Sequence, residues 1–226
     1  MKTNKPKSRR DFLSALALGT AASGLSLVGN NLNAAIPNFK DLDQGDADKW
    51  INGIKGTNRI TLDGSMPHDG FPMIWTWAFY ESHNETGSPD SDTTVVCVLR
   101  HKAIPFAFKD SMWEKYPLGK IFEIKDNKTQ VDSKRNLYYE PAPGDFPLPQ
   151  IQGMKKMQER GAMFCVCNLA TKVYSGAIAA AMNIDPDEVY ADLVANILPN
   201  FQLVPSGLWA LGKAQAKGCG YIYAGG

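Results

Sequence analysis

Apolar residues recur along this chain in two rhythms, unbroken short runs and stripes at helical spacing. The clearest run is Thr93 to Leu99 (TTVVCVL), β-branched and without polar alternation. Such a run suits a parallel strand covered on both faces. Asn58 to Leu62, Ala162 to Cys167, Phe201 to Val204 and Cys219 to Ala224 are further candidate strands. Between them lie helical patterns. Phe71 to His83 carries Pro72 in its first turn and a predicted buried stripe at Ile74, Trp75, Ala78 and Phe79. Ile104 to Lys115 reads as a helix, and Ile151 to Arg160 as a short one stopped by Gly161. The helix from Asn168 shows a face of Leu169, Ala170, Val173, Tyr174, Ala177, Ile178 and Ala181. Asp185-Pro186-Asp187-Glu188 is a helix start with cap, first-turn proline and acidic third residue. Pro205-Ser206-Gly207 opens a last helix that Gly218 closes.

This order predicts an α/β chain with about five mostly parallel strands and helices on both faces. One stretch breaks the rhythm. Residues 120–150 read as an insertion, with a small hairpin near Ile121 to Val131 and then an extended loop holding Tyr138, Tyr139 and four prolines. An ordered loop of that length is a lid or a subunit contact, and the contact is the preferred expectation.

In a parallel sheet ligands bind beyond the carboxyl ends of the strands. That rule gathers five loops around one cleft: Asp63 to Gly70 with His68, Arg100 with His101, Cys167 with Asn168, Pro205 with Ser206 and Gly207, and the chain end. Two helix N-termini there would favour a small anion. Cys167, at a strand end just before a helix, holds the position that favours thiolate chemistry; the alternative is a small buried core residue. His101 is either an anion or proton contact or a solvated loop residue.

The N-terminus changes the picture of where the chain works. Lys2, Lys5, Lys7, Arg9 and Arg10 precede a mild apolar run, Phe12 to Val28, and Ser8-Arg9-Arg10-Asp11-Phe12-Leu13 fits the twin-arginine export pattern. Residues 1–35 are therefore expected to be a signal peptide handled by the Tat translocase, 36–56 an N-terminal arm and 57–226 the domain. The destination is an oxidising periplasm. The run is too dilute for a membrane anchor, which takes about 20 strongly apolar residues, so no span is expected in the mature protein. Those 35 residues hold five of the chain's 24 basic residues and one of its 23 acidic ones. The remainder is slightly acidic, without an electrostatic footprint for nucleic acid.

Four cysteines add little that is specific. Cys165 and Cys167 point the same way on a strand with Cα atoms roughly 6.5–7 Å apart, the far limit for a disulfide. A C-x-C pair suits a soft metal, but no third ligand stands near, the three histidines make no metal-binding pair, and no metal or cofactor is predicted. Elbow, P-loop, dinucleotide and C-x-x-C motifs are absent.

Val95-Val96-Cys97-Val98-Leu99-Arg100-His101, Met163-Phe164-Cys165-Val166-Cys167-Asn168 and Ala195-Asn196-Ile197-Leu198-Pro199 with Leu203-Val204-Pro205-Ser206-Gly207 carry a resemblance. Over about residues 57–226 the chain resembles the exported, Tat-signalled branch of the DsrE/DsrF-like family. The resemblance implies a flavodoxin-like three-layer α/β/α fold and oligomers, trimers or hexamers. Cytoplasmic members relay sulfur on the last cysteine of a C-G-x-C turn; here Cys167 matches the first cysteine and Ala170 stands at the sulfur-carrying position. Two readings follow. One is a periplasmic oligomer that binds a small ligand, a sulfur species among the candidates, at the strand ends, with Cys167 as nucleophile and His101 as proton carrier if chemistry occurs. The other is a non-enzymatic partner or scaffold subunit working through Phe71 to His83 and the Tyr/Pro loop.

Overall fold

The computed structural model describes residues 44–225. The predicted signal peptide, with Arg9 and Arg10, and the first part of the arm lie outside the described residues. The remainder of the arm begins with helix α1 (Gln44–Ile51), whose Ala47 and Ile51 are buried in the domain's own core.

Five strands form one sheet: β1 (Asn58–Gly64), β2 (Thr93–Leu99), β3 (Met163–Cys167), β4 (Phe201–Val204) and β5 (Gly220–Tyr223). Their order is β4-β3-β2-β1-β5, and all four pairings are parallel. The architecture is the expected three-layer α/β/α, flavodoxin-like one. β2 shows why its sequence lacks polar alternation, because every residue of it is buried. Val95, Cys97 and Leu99 enter one core, Val96 and Val98 the other. Each such side chain contributes about 1.5–3 kcal/mol by burial.

The first core lies under helix α2 (Phe71–Glu85), which follows β1, and under the segment after β2. That segment is a 3-10 helix (His101–Ala107) followed by α3 (Asp110–Lys115) and α4 (Leu118–Ile121). The single helix predicted over Ile104 to Lys115 is therefore broken: Pro105 has no N–H to give. After the insertion come α5 (Met154–Arg160), then α6 (Asn168–Met182) and α7 (Pro186–Ala195) around β3 and β4. The second core lies under α1 and α8 (Gly207–Ala216). Asp185 and Ser206 cap α7 and α8 by accepting from the N–H of Asp187 and Trp209.

Two buried stripes are rotated from their expected positions. In α2 the buried residues are Pro72, Met73, Thr76 and Tyr80, while Trp75 is exposed. In α6 they are Asn168, Ala170, Thr171, Ser175, Ile178 and Ala179. The cause is the same in both. Thr76, Thr171 and Ser175 donate their hydroxyls to the carbonyl four residues earlier. A hydroxyl satisfied in this way is small enough to face the core.

Residues 120–150 hold together by polar contacts more than by regular structure. Lys125 and Asp132 form an isolated antiparallel bridge, the remnant of the predicted hairpin. Arg135 spans Asp126 and Asp145, whose side chain is fully buried. Asn136, also buried, donates to the carbonyls of Phe106 and Phe108 and accepts from the N–H of Tyr138 and Tyr139. The rings of the Tyr/Pro loop turn inward: Tyr138 stacks on Phe146 and meets Phe106 edge-on. The loop's aromatic side chains therefore pack on their own domain, and Leu148 is the large apolar side chain it exposes.

Candidate functional site

The carboxyl ends of β1, β2 and β5 meet at Asp63. This carboxylate is nearly buried, with 4% of its side chain exposed. Arg100 donates to both of its oxygens, from Nε at 2.6 Å and Nη2 at 2.9 Å. Tyr221 donates its hydroxyl to Oδ2 at 2.8 Å. The carboxylate raises the Arg100 guanidinium and the Tyr221 phenol above their ordinary ranges through these hydrogen bonds. The stem of Arg100 lies against Gly207, where an added Cβ would come within 2.7 Å of it. Hydrogen bonds from Arg100 thus tie β2 to β1 through Asp63, Tyr221 ties β5 to the same carboxylate, and the Arg100 stem packs against the start of α8.

The other predicted residues divide between the two faces. His101, with φ of 49°, turns its Nδ1 to the Tyr174 hydroxyl of α6, 2.9 Å away. Burial, with Lys102 and Arg100 adding positive charge, lowers its pKa below the ordinary 6.5. Asn168 accepts from the Tyr190 hydroxyl of α7 at 2.8 Å and so faces the helices. Cys167 caps α6, its Sγ accepting from the Ala170 N–H at 3.3 Å. It is 5% exposed, so chemistry at its sulfur requires neighbouring groups to move. The four cysteines are free and buried; burial pushes the Cys97 thiol up to about 12 and Cys165 well above its usual value. Among the described residues no group of three or more His, Cys, Asp or Glu is placed to hold a metal ion.

Beside these residues a cavity of about 370 Å³ opens between the loop after β1 and the insertion. Its size falls within the usual range for small-molecule sites. Phe106, Phe122, Ile124 and Tyr138, all buried, line it, and His68, Asp69, Glu123, Lys125, Asn127 and Gln130 add polar groups. Burial pushes the Tyr138 phenol up to about 12, so the ring is neutral at physiological pH. Gly70 permits this arrangement. Its φ is 86°, and a Cβ there would come within 2.6 Å of the Tyr138 ring.

Backbone strain collects on the same walls. Seven non-glycine residues among those described have positive φ. Asn183 and Asn200 are of the type that accepts this conformation, as are Asp and His to a lesser degree. His68, Asp69, Glu123 and Gln130 all line the cavity. Strain of this kind persists where the surroundings over-determine it, and it gathers at ligand sites.

Of the residues expected at the strand ends, His68 lines this cavity, and its Nε2 lies 2.8 Å from the Tyr223 hydroxyl. Arg100, His101, Cys167, Asn168, Ser206 and Gly207 do not line it. Sequence reasoning placed Asp63 in a strand-end loop and Tyr138 in a lid or contact loop without giving either this role, and it missed Tyr221, Phe106 and Phe122 as members of the site. A signal existed for Asp63, an acid closing one strand beside a neighbouring strand that an arginine follows. The aromatic lining had no comparable signal, since its members lie up to 32 positions apart. Compared with protein-family models, curated proteins and solved structures, the chain finds no match.

Proposed function

We propose that this chain is a DsrE/DsrF-like protein, exported by the twin-arginine route to the periplasm, that binds a small ligand beyond the carboxyl ends of its strands. The observation that carries the binding reading is the cavity, with buried aromatic side chains and four non-glycine residues of positive φ on its walls, of which Glu123 and Gln130 are the strained ones. Binding is non-covalent here, because Cys167 caps a helix in a nearly closed position outside the cavity. The family resemblance puts small sulfur compounds among the first probes. The test is titration of the purified full chain, followed by two-dimensional NMR, with a small-molecule panel that includes thiosulfate. Shifts should concentrate on Met66 to Asp69 and Phe122 to Gln130. Shifts centred on Cys167 and Arg100 would return the site to the strand-end cluster, and a mass added at Cys167 after polysulfide would restore the sulfur-transfer version.

A second reading, a subunit in an assembly, is favoured by the sheet edge. Among the described residues β5 pairs with β1 alone, and Tyr221, Ile222 and Tyr223 are each about half exposed, with Trp75 exposed nearby. An uncovered apolar edge strand is a template for pairing. Light scattering of the full chain should show an oligomer that Ile222→Lys dissociates; an unchanged mass would move the contact elsewhere.

A further inference from the structure

Every residue of β5 is exposed, on both faces of the sheet. Its register on β1 sets Tyr221 and Tyr223 beside Thr61 and Asp63, and Ile222 beside Leu62, a member of the first core. Side chains alternate along a strand, so the two tyrosines lie on the face of α8 and Ile222 on the face of α2. Ala224 donates its N–H to the Asp63 carbonyl of β1 at 3.1 Å. Alternate residues of a strand turn their backbone groups to opposite neighbours. Tyr221 and Tyr223 therefore point their N–H and C=O groups outward, and among the described residues nothing pairs with them. No residue from Gly218 to Gly225 is charged and none is proline, so the edge lacks the usual guards against pairing.

We infer that the occupant of this edge is a second copy of the chain, its β5 antiparallel to the first across a two-fold axis at Ile222. The inference rests on the reading that the chain is a subunit in an assembly, and it adds the partner and the register, which that reading leaves open. Tyr221-Ile222-Tyr223 reads the same in both directions. The two-fold axis therefore sets Ile222 against Ile222 of the partner subunit, and Tyr221 against Tyr223 of the partner subunit. The four outward backbone groups of each copy then exchange hydrogen bonds with those of the other, and the pair is closed. A two-fold axis through a charged strand would bring like charges together; this strand has none. Area limits the strength of the contact. Tyr221, Ile222 and Tyr223 are each about half exposed. With roughly 150–250 Å² for a whole aromatic side chain, the two strands together cover about 800 Å², short of the about 1,200 Å² of a stable interface. The dimer is therefore weak, with a dissociation constant of roughly 10 μM.

Cross-linking of the full chain under mild oxidation reads the register directly. Across the axis the two copies of residue 222 form a non-hydrogen-bonded pair with Cα atoms about 4.5 Å apart, within reach of a disulfide. The two copies of residue 221 lie on the diagonal, roughly 7–8 Å apart and beyond that reach. Ile222→Cys should therefore give a covalent dimer, and Tyr221→Cys alone should not. Tyr221→Cys mixed with Tyr223→Cys should cross-link again. The unaltered chain should stay uncross-linked, because its four cysteines are buried. Sedimentation of the unaltered chain should show a monomer–dimer equilibrium, which Ile222→Lys abolishes. Residue 222 is exposed, and circular dichroism checks that each variant is folded. Cross-linking by Tyr221→Cys alone as readily as by Ile222→Cys overturns the two-fold register. So does the absence of cross-linking when Ile222→Lys still dissociates the protein, and in both cases the contact at β5 stands. Association that persists in Ile222→Lys, without cross-linking at residue 222, overturns the inference and moves the assembly to another surface. A monomer far above the expected dissociation constant overturns the inference and the assembly reading together.

Discussion

β2 and the insertion are held in place by opposite means. β2 is apolar throughout and fills both cores with alternate side chains. The insertion hangs on a few charged and amide groups, Arg135 between Asp126 and Asp145 and Asn136 beneath Tyr138 and Tyr139. Apolar burial is non-directional and spreads its stabilisation over many contacts. A polar network is directional, so one lost partner leaves another group buried and unpaired. The cavity lies where the two regimes meet, with Phe106 on one side and Phe122 and Ile124 on the other. Precise placement there comes from the polar side, and so does fragility.

The largest effect should come from the sheet. Phe164 is fully buried on β3 and stacks on Phe201 at 5.1 Å. Phe164→Ala should cost about 3–5 kcal/mol, read as a lower denaturation midpoint for the whole domain. Asp145→Ala should cost about 2–3 kcal/mol, less because Arg135 is partly exposed. Its signature is local: faster amide exchange over the insertion with protection of the sheet retained. Equal loss of protection in both would erase the distinction between the two regions.

Arg100→Met tests the junction where β1, β2 and β5 meet. Asp63 keeps its bond from Tyr221, and Arg100 has 28% of its side chain exposed. The expected cost is about 1–2 kcal/mol, with the exchange of β5 amides rising most. A cost near zero would mean that the ion pair does not secure the edge strand.

The smallest effect is one of pH. The unfolded chain takes a proton at His101 near its ordinary value of 6.5, while the folded chain resists it because of burial and of Lys102 and Arg100. This contribution is complete above that value and is lost as pH falls through it toward the lower folded one. His101→Asn, which suits the φ of 49°, should therefore reduce the drop in melting temperature between about pH 7.5 and about pH 5.5. An unchanged pH profile would assign acid sensitivity in this window to groups other than His101, and not to Asp90, whose contribution is lost only below the ordinary carboxylate value of 3.8. Its carboxyl is held below the usual range by the hydrogen bond from Arg160.

The strands, their order along the chain, the caps at Asp185 and Ser206 and the α/β class were legible in the sequence, because strand runs and cap residues act over a few neighbouring positions. Even there the reading had a limit. The buried stripes of α2 and α6 were misplaced because Thr76, Thr171 and Ser175 look polar in isolation, and only a bond to their own helix makes them fit to face the sheet. The strand-end cluster was half legible. Arg100, His101 and Cys167 could be placed at strand ends by rule, but the tertiary structure alone turns Arg100 onto Asp63, His101 onto Tyr174 and Cys167 into a helix cap. The cavity belongs wholly to the tertiary structure. It forms where the loop after β1 meets an insertion more than fifty residues later, and nothing local to Met66 or Phe122 announces that they share a wall. The chain by itself determined which segments are strands, most of the helices and the residues that cap α7 and α8, but not the break after β2 or the form of the insertion. Which of those residues face one another was decided by packing, since contacts between distant segments depend on how the whole sheet is covered.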